Sequence, residues 1–457
     1  MRERVAALDF GSSKVALAVG EWAGAGIRIV SYHDASSAGV ECGEINNDLK
    51  VAEVVRTLIA EAESDLGEKI SEVTVGISGR VLHSKGLSCE IRRKAPDTCI
   101  DRQEVDGIVR SQYGADVPDG DVVFDVVPQR YSTEDCIGVS QDDLIGMVGS
   151  QIEADFRVFS GRKAILDRRN KVLGECDLRL RKAILAPIAS ARAVLSAHEK
   201  ENGAVLVDIG KGTTEVAVVW DNVIRHAAVI PFGGESVTVD IKNETGIARL
   251  WAENLKIQQG RCCEEYAIEN RKMVLRNEND IVDGEVDSVL LCRIIEARMS
   301  EIFDAVSYVI AQSGYANRLP GGVVITGGSS HQENIIQLAG SMLGRKVRLA
   351  APQGSITDDS VEGAFDVYAS TAVGLVLETM DPKLSFALEN ETTPATEQPA
   401  PQPVVPDPQP VDPPTKARGG LFGTRRKGPK KEDGSCDGQL SLFGELERMF
   451  VSKDDGA

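Results

Sequence analysis

Three short segments of this 457-residue chain carry residue types that handle phosphates. In AALDFGSSK (Ala6 to Lys14) and in VLVDIGKGTTE (Val205 to Glu215), an apolar strand ends at an aspartate, a glycine-rich turn follows, and a second β-prone run begins. Such a turn offers successive backbone amides to an anion, and the aspartate at its mouth suits a hydrated divalent cation. Two turns about 200 residues apart could hold the phosphates of a nucleotide from both sides. On the first, Gly11 permits close approach, and Ser12, Ser13 and Lys14 could donate to phosphate oxygens. On the second, Gly210, Gly212, Thr213 and Thr214 offer amides and hydroxyls, while Asp9 and Asp208 would orient magnesium waters. In VVITGG (Val323 to Gly328), a further apolar strand ends in Gly327 and Gly328, where a base or ribose could approach the backbone. Taken singly, each turn is equally a tight structural hairpin; their repetition is what points to phosphate.

Other candidates are less specific. The stretch from Glu253 to Gly260 could set Asn254, Lys256 or Gln258 against a ribose and ring edge, although lone polar helix residues are more often solvated. Hydrolysis needs a group that aims a water at the γ-phosphate, and no residue stands out for it. Glu215 falls either near the cleft or simply at a strand start. His33, His83, His198, His226 and His331 lack ligand spacing and are read as surface or loop residues.

The elements around these motifs alternate between strand and helix. Strands are expected at Val5 to Leu8, Val15 to Val19, Ile27 to Ser31 and Val73 to Ile77, with a helix of 3.6 periodicity over Asn47 to Leu66. From about 80 to 163, short β-rich runs at Val122 to Val127 and Phe156 to Phe159 surround a helix at 101–112, which reads as a small inserted α/β subdomain. The first lobe resumes over 164–203, where Pro187 opens one helix through APIASARAVLSAHEKENG. The second lobe covers 204–385, with strands at Val216 to Trp220 and Ala227 to Ile230, a helix containing WAENLKIQQG, two helices around 287–313 and a strand–GG–helix unit at 323–343. The fold class is therefore α/β, in two lobes.

Net charge is −19, which argues against nucleic acid as a partner because no excess of cations is available for a phosphate backbone. Nine scattered cysteines without a CxxC give neither a disulfide framework nor a metal knuckle. No 20-residue apolar span is present, so the core is read as neither secreted nor transmembrane. Residues 386–439 shift to a Pro-, Thr-, Glu- and Asp-rich linker and then a basic stretch from Lys416 to Lys431. Over 440–452, Leu442, Phe443, Leu446, Met449 and Phe450 fall within an arc of about 120° on a helical wheel. Burying these five side chains yields roughly 8 to 15 kcal/mol gross, mostly offset by ordering, which suits weak reversible attachment to an anionic membrane. A groove on a protein would serve the same helix.

These segments resemble the actin-like ATPase superfamily and, within it, the FtsA family of bacterial cell-division proteins. LDFGSSK at 8–14 and VDIGKGTTE at 207–215 look like its two phosphate motifs, ITGG at 325–328 like its adenosine motif, and WAENLKIQQG like its adenosine-side helix. The inserted segment with PQRYSTEDC and the tail ending in an amphipathic helix look like the features that set FtsA apart from actin. The resemblance implies an actin-like fold of two RNase H-like lobes (1–79 with 164–203, and 204–385 with an outer subdomain at about 225–315) and an FtsA-type insert at 80–163. It further implies ATP with Mg2+, at most weak ATPase activity, self-association into filaments, and anchorage by 440–452 to the cytoplasmic face of the membrane at the division site. The implied partners are the C-terminal tail of FtsZ at 225–315 and other divisome proteins at the insert. Lys211 stands where the second phosphate loop usually has glycine, and Glu215 where it often has aspartate, which leaves turnover open. The alternatives are a PilM-like type IV pilus adaptor and a sugar or acid kinase of the same superfamily; an Hsp70-like chaperone fails because the polar, Pro-rich tail cannot form a β-sandwich.

Overall fold

In a computed structural model the described residues are 3–267, 271–276 and 282–389. The chain opens with β1 (Arg4–Phe10), β2 (Lys14–Ala23) and β3 (Gly26–Ser36), an antiparallel run most of whose apolar residues are buried. β4 (Val40–Glu41) and β5 (Glu44–Ile45) form a small hairpin with Cys42 and Gly43 at its turn. The helix α1 (Asp48–Leu66) starts where Asn47 accepts from the Lys50 amide and stops at left-handed Gly67. Next, β6 (Glu72–Ile77) joins β1 in parallel.

The segment that follows builds a sheet of its own. β7 (His83–Arg92), α2 (Arg102–Ser111), β8 (Asp121–Ser132), α3 (Gln141–Leu144) and β9 (Gln151–Arg162) give a three-stranded antiparallel sheet in the order β7-β9-β8. Its separate apolar cluster includes Val105, Ile108, Val126, Tyr131 and Phe156. The strand β7 was not anticipated; it pairs with β9 along its whole length and lays Leu87, Cys89 and Ile91, at alternate positions, against this cluster. Then α4 (Lys163–Glu175) and β10 (Arg179–Leu185) complete the first sheet, ordered β3-β2-β1-β6-β10.

The single helix expected after Pro187 is two. α5 (Ala186–Val194) ends where Leu195 turns extended, and Ser196 with Glu199 makes a capping box that starts α6 (Ala197–Asn202). The second lobe has β11 (Ala204–Ile209), β12 (Thr214–Trp220), β13 (Val223–Ile230), α7 (Gly234–Thr245), α8 (Arg249–Gln259) and the hairpin β14 (Lys272–Arg276) with β15 (Val282–Asp287). The two helices expected around 287–313 are one, α9 (Ser288–Gln312), because 25 residues without Gly or Pro keep a buried face from Leu291 to Ile310. β16 (Val323–Thr326), α10 (Ile335–Leu343) and β17 (Val347–Leu349) finish the lobe, and α11 (Ser370–Met380) crosses back to pack on β1, β2 and β6 of the first sheet.

The second sheet runs β13-β12-β11-β16-β17, strand for strand the order of the first. In both, the first strand is antiparallel to the second and parallel to the fourth. The same fold is therefore used twice, with Asp9 and Asp208 on equivalent strands. Between the lobes α5 crosses α11 so closely that a Cβ on Gly374 would lie 1.8 Å from the Ala189 carbonyl oxygen.

Beyond α11, two buried carboxylates fasten the chain. Glu378 accepts from the amides of Lys383, Leu384 and Ser385 at 3.0–3.2 Å, with Arg192 at 3.3 Å. Asp125 on β8 accepts from Ser385 Oγ at 2.7 Å and the Phe386 amide at 3.1 Å, and Tyr113 donates to the Phe386 carbonyl at 2.8 Å. Glu389 bridges to Lys182 on β10. Of the linker expected over 386–439, residues 386–389 are fastened in this way, while those from 390 on and the helix expected at 440–452 lie outside the described residues; no described helix is long and apolar enough to cross a membrane.

His226 corrects the reading of the histidines as surface or loop residues. It lies buried in β13 with Nδ1 3.2 Å from Ser84 Oγ on β7, joining the second lobe to the inserted sheet. Burial, with Arg157 adding repulsion, pushes its pKa down from 6.5 to about 4. The unfolded chain therefore binds the extra proton first, and stability falls as pH drops from 6.5 through 4, by roughly 3 kcal/mol from this group at about 1.4 kcal/mol per pH unit. Urea unfolding of a His226→Gln variant should have a shallower loss between pH 7.5 and 4.5 than the parent protein; parallel pH profiles would contradict this assignment.

Candidate nucleotide site

A cavity of about 520 Å³ lies between the two sheets and takes its walls from both lobes. It is lined by Asp9, Gly11, Ser12, Ser13, Lys14, Asp208, Gly210, Lys211, Gly212 and Thr213 of the two turns, by Glu253 and Lys256 of α8, and by Gly327 and Gly328. Ile257 is the third residue that α8 contributes. Thr214 stands apart: it is fully buried, its hydroxyl donates to the Phe232 carbonyl at 2.9 Å, and it is not in the lining.

The two turns meet face to face. The Gly210 amide closes the second on the Thr213 carbonyl at 2.9 Å. A Cβ on Gly212 would sit 2.6 Å from Ser12 Oγ and 3.0 Å from the Cys42 amide nitrogen, so the first turn and the β4–β5 hairpin both abut it. Ser12 Oγ in turn accepts from the Gly43 amide at 3.3 Å. Gly327, at φ 87°, leaves no room for a side chain, since a Cβ there would be 2.2 Å from Asp208 Oδ1.

Three carboxylates converge on the floor. Asp208 and Glu215 are directly opposed across the β11–β12 ladder, which puts both side chains on one face. Burial first, then the charge of Asp208, pushes Asp9 up to about 6 against the pull of Lys14 and Arg169. Burial raises Asp208 as well, although Ser190 donates to it at 2.8 Å. Glu215 is held well above the usual carboxylate range by burial and by Asp208, with Ser78 Oγ donating at 2.5 Å from across the cleft. Behind them the buried Arg169 donates to the carbonyls of Gly76, Ile165 and Gly43 at 2.8–3.1 Å and lies over the Phe10 ring.

The cations are committed elsewhere in part. Lys14 Nζ donates to Asp34 at 2.6 Å and to Tyr32 OH at 2.7 Å, and stands 5.0 Å from the Tyr368 ring centre. Lys256 donates to Gly234 O, Thr238 Oγ1 and Glu253 at 2.8–3.0 Å, which ties α8 to the start of α7. Lys211 remains partly exposed, 4.0 Å from Glu235. Buried acid therefore exceeds free cation around Asp9 and Asp208, the imbalance that a divalent ion relieves. Among the described residues no three His, Cys, Asp or Glu side chains are grouped to ligate a metal directly.

Sequence reasoning missed Tyr32, Asp34, Ser78, Arg169, Tyr368 and His331, all bound to this site by geometry. Tyr368 faces Gly328 and pairs with His331, ring centres 5.1 Å apart. The sheet repeat is a signal that finds one of them: Ser78-Gly79 follows β6 as Gly327-Gly328 follows the equivalent β16.

Two sheets of identical order, each with a glycine turn after its first strand and a cavity between them, define an actin-like ATPase fold. The solved PilM–PilN type IV pilus biogenesis complex contains a chain of the same fold, with TM-score 0.60 at 14% identity, covering 84% of this chain and 100% of that one. A sequence profile described as "Cell division protein FtsA" matches residues 205–374. "Cell division protein FtsA" of Neisseria meningitidis serogroup B is 31% identical over 377 residues, 81% of this chain and 89% of the relative, and that of Pseudomonas aeruginosa 30% identical over 408 residues, 87% and 95%. The chain belongs to the FtsA family of cell-division proteins.

Proposed function

We propose that this chain binds ATP with Mg2+ in the interlobe cavity and works as a membrane-tethered, polymerising adaptor of cell division. The observation that carries the reading is the contact of two phosphate-type turns from opposite lobes at one cavity, with Gly212 against Ser12. The amides of Gly11 to Ser13 and Gly210 to Thr213 would hold phosphate oxygens, and Lys14 would turn from Asp34 toward them. Asp9 and Asp208 would hold Mg2+ through its waters, and the ion would supply charge neutralisation between buried carboxylates and phosphates. Gly327 and Gly328 would pass the sugar and base, with Tyr368 as a wall. Because the site spans both lobes, bound nucleotide favours their closed arrangement, which suits a nucleotide that sets polymer conformation rather than one consumed quickly.

Family membership supports the remaining parts of the proposal: filaments at the cytoplasmic face of the membrane at the division site, FtsZ held through its C-terminal tail by the outer part of the second lobe, and other divisome proteins at the inserted sheet. The anchor is the helix at 440–452. Titration with a fluorescent ATP analogue, with and without Mg2+, tests the site: Lys14→Ala should weaken binding at least tenfold, about the worth of one charge-assisted contact. Absence of binding by the intact chain would remove the nucleotide reading. Cosedimentation with anionic liposomes tests the anchor, and the Leu446→Glu, Phe450→Glu double variant should stay in the supernatant while still binding nucleotide. If it pellets as the parent does, the anchor lies elsewhere.

A further inference from the structure

The junction between the inserted sheet and the second lobe gathers guanidinium groups that the nucleotide site does not use. Arg157, on the central strand β9, has a buried Nε without a hydrogen-bond partner and no ion pair among the described residues. Arg225 on β13 donates to the Gln129 carbonyl at 3.0 Å and stacks 4.9 Å from Trp220 and 5.6 Å from Tyr315. Arg318 lies 4.8 Å from Trp220 and 6.0 Å from Tyr315, and no described carboxylate pairs with it. Arg130, exposed on β8, pairs with Asp155. The side chain of Tyr315 is within electrostatic reach of Arg130, Arg157 and Arg225. Among the described residues two of these four cations have carboxylate partners, Asp155 beside Arg130 and Asp221 3.7 Å from Arg225, and the other two have none. In a chain of net charge −19 this is a local reversal of sign.

We propose that this crease is a binding site for an acidic peptide segment, with Arg157 and Arg318 as its principal carboxylate receptors. Stacking on Trp220 and Tyr315 holds Arg225 and Arg318 in place before any ligand arrives, which lowers the ordering cost of binding. The cations are spread over two walls, β8 and β9 on one side and β13 with Tyr315 on the other, so a single small anion meets only part of the set. An extended chain with acidic residues at alternate positions repeats its carboxylates about every 6–7 Å and can engage both walls. Such a ligand bridges the inserted sheet and the second lobe, a place separate from the interlobe cavity.

The test is fluorescence anisotropy of a labelled deca-glutamate peptide with the full-length protein at physiological salt. Arg157→Gln and Arg318→Gln should each weaken binding about tenfold, the worth of one charge-assisted pair. Arg102→Gln, which removes an exposed arginine paired with Asp142 elsewhere on the insert, should leave binding unchanged. Far-UV circular dichroism and fluorescent-ATP binding of each variant report whether the fold and the cavity persist. No binding by the parent protein, an equal loss in Arg102→Gln, or a preference for a single-stranded DNA decamer over the peptide would each overturn the proposal.

Discussion

Gly374→Ala is expected to be the most damaging single methyl group in the protein. The new carbon would lie 1.8 Å from the carbonyl oxygen of Ala189 and 2.3 Å from its carbon, so backbone rather than a flexible side chain blocks it. Overpacking costs typically 1–3 kcal/mol, and here α5 and α11 must separate along the seam between lobes, which sets the loss at about 3 kcal/mol or more. At roughly 2–4 °C per kcal/mol for a protein of this size, thermal unfolding should start about 6–12 °C lower. Gly107→Ala is the matched control, because Gly107 lies within α2 with nothing within 4 Å of the added carbon and should gain about 0.5–1 kcal/mol. Equal melting of the two variants would mean that α5 and α11 are not in this contact in solution.

The second large effect is expected at Gly327. Alanine there must adopt φ near 87° and would press on Asp208 Oδ1 at 2.2 Å and on the Ile209 backbone at 2.8–2.9 Å. The strained backbone alone costs about 1–3 kcal/mol, and relief of the clash displaces the carboxylate proposed to hold magnesium waters. A fluorescent ATP analogue should bind at least a hundredfold more weakly with Mg2+ present, the equivalent of about 2.7 kcal/mol. Gly328→Ala should do less, since its Cβ meets only the edge of the Tyr368 ring at 2.9 Å. Unaltered binding by Gly327→Ala would detach the Asp208 turn from nucleotide recognition.

The parts of the site legible in the sequence were those that local chemistry dictates. An aspartate at the end of an apolar strand, followed within a few residues by glycine and a hydroxyl, marks a phosphate-type turn without any tertiary information, and both turns reach the cavity. Ser78, just after the strand Val73 to Ile77, shows only through the repeat of the two sheets, whereas Arg169 and Tyr368 were illegible for the opposite reason. Each follows a segment with no special composition, and only the folding of residues 76, 169, 215 and 368 around one floor gives them work there. β7 was overlooked although Leu87, Cys89 and Ile91 alternate along it, because Ser84, Lys85, Gly86 and Ser88 dilute the apolar signal and pairing with β9 supplies the rest. Breaks in helices depended on single residues: Ser196 with Glu199 interrupts what otherwise reads as one helix, whereas nothing interrupts α9. Thr214 fell on the wrong side of its strand, where period-two alternation turns it from the cavity toward Phe232.

The fastening of residues 383–389 bears on how the protein takes tension. Any tether beyond residue 389 pulls first on the Glu389 bridge to β10, then on Phe386 and Ser385 at Asp125, and then on the three amides at Glu378. Asp125 belongs to the inserted sheet and Glu378 to α11, the helix pressed against α5 at the seam. Load entering at the end of the fold is thus spread over β10, the inserted sheet and α11, all on the side of the first sheet, so a pull on the tail would load that side as one unit and reach the second lobe through α5 and its Arg192 contact with Glu378.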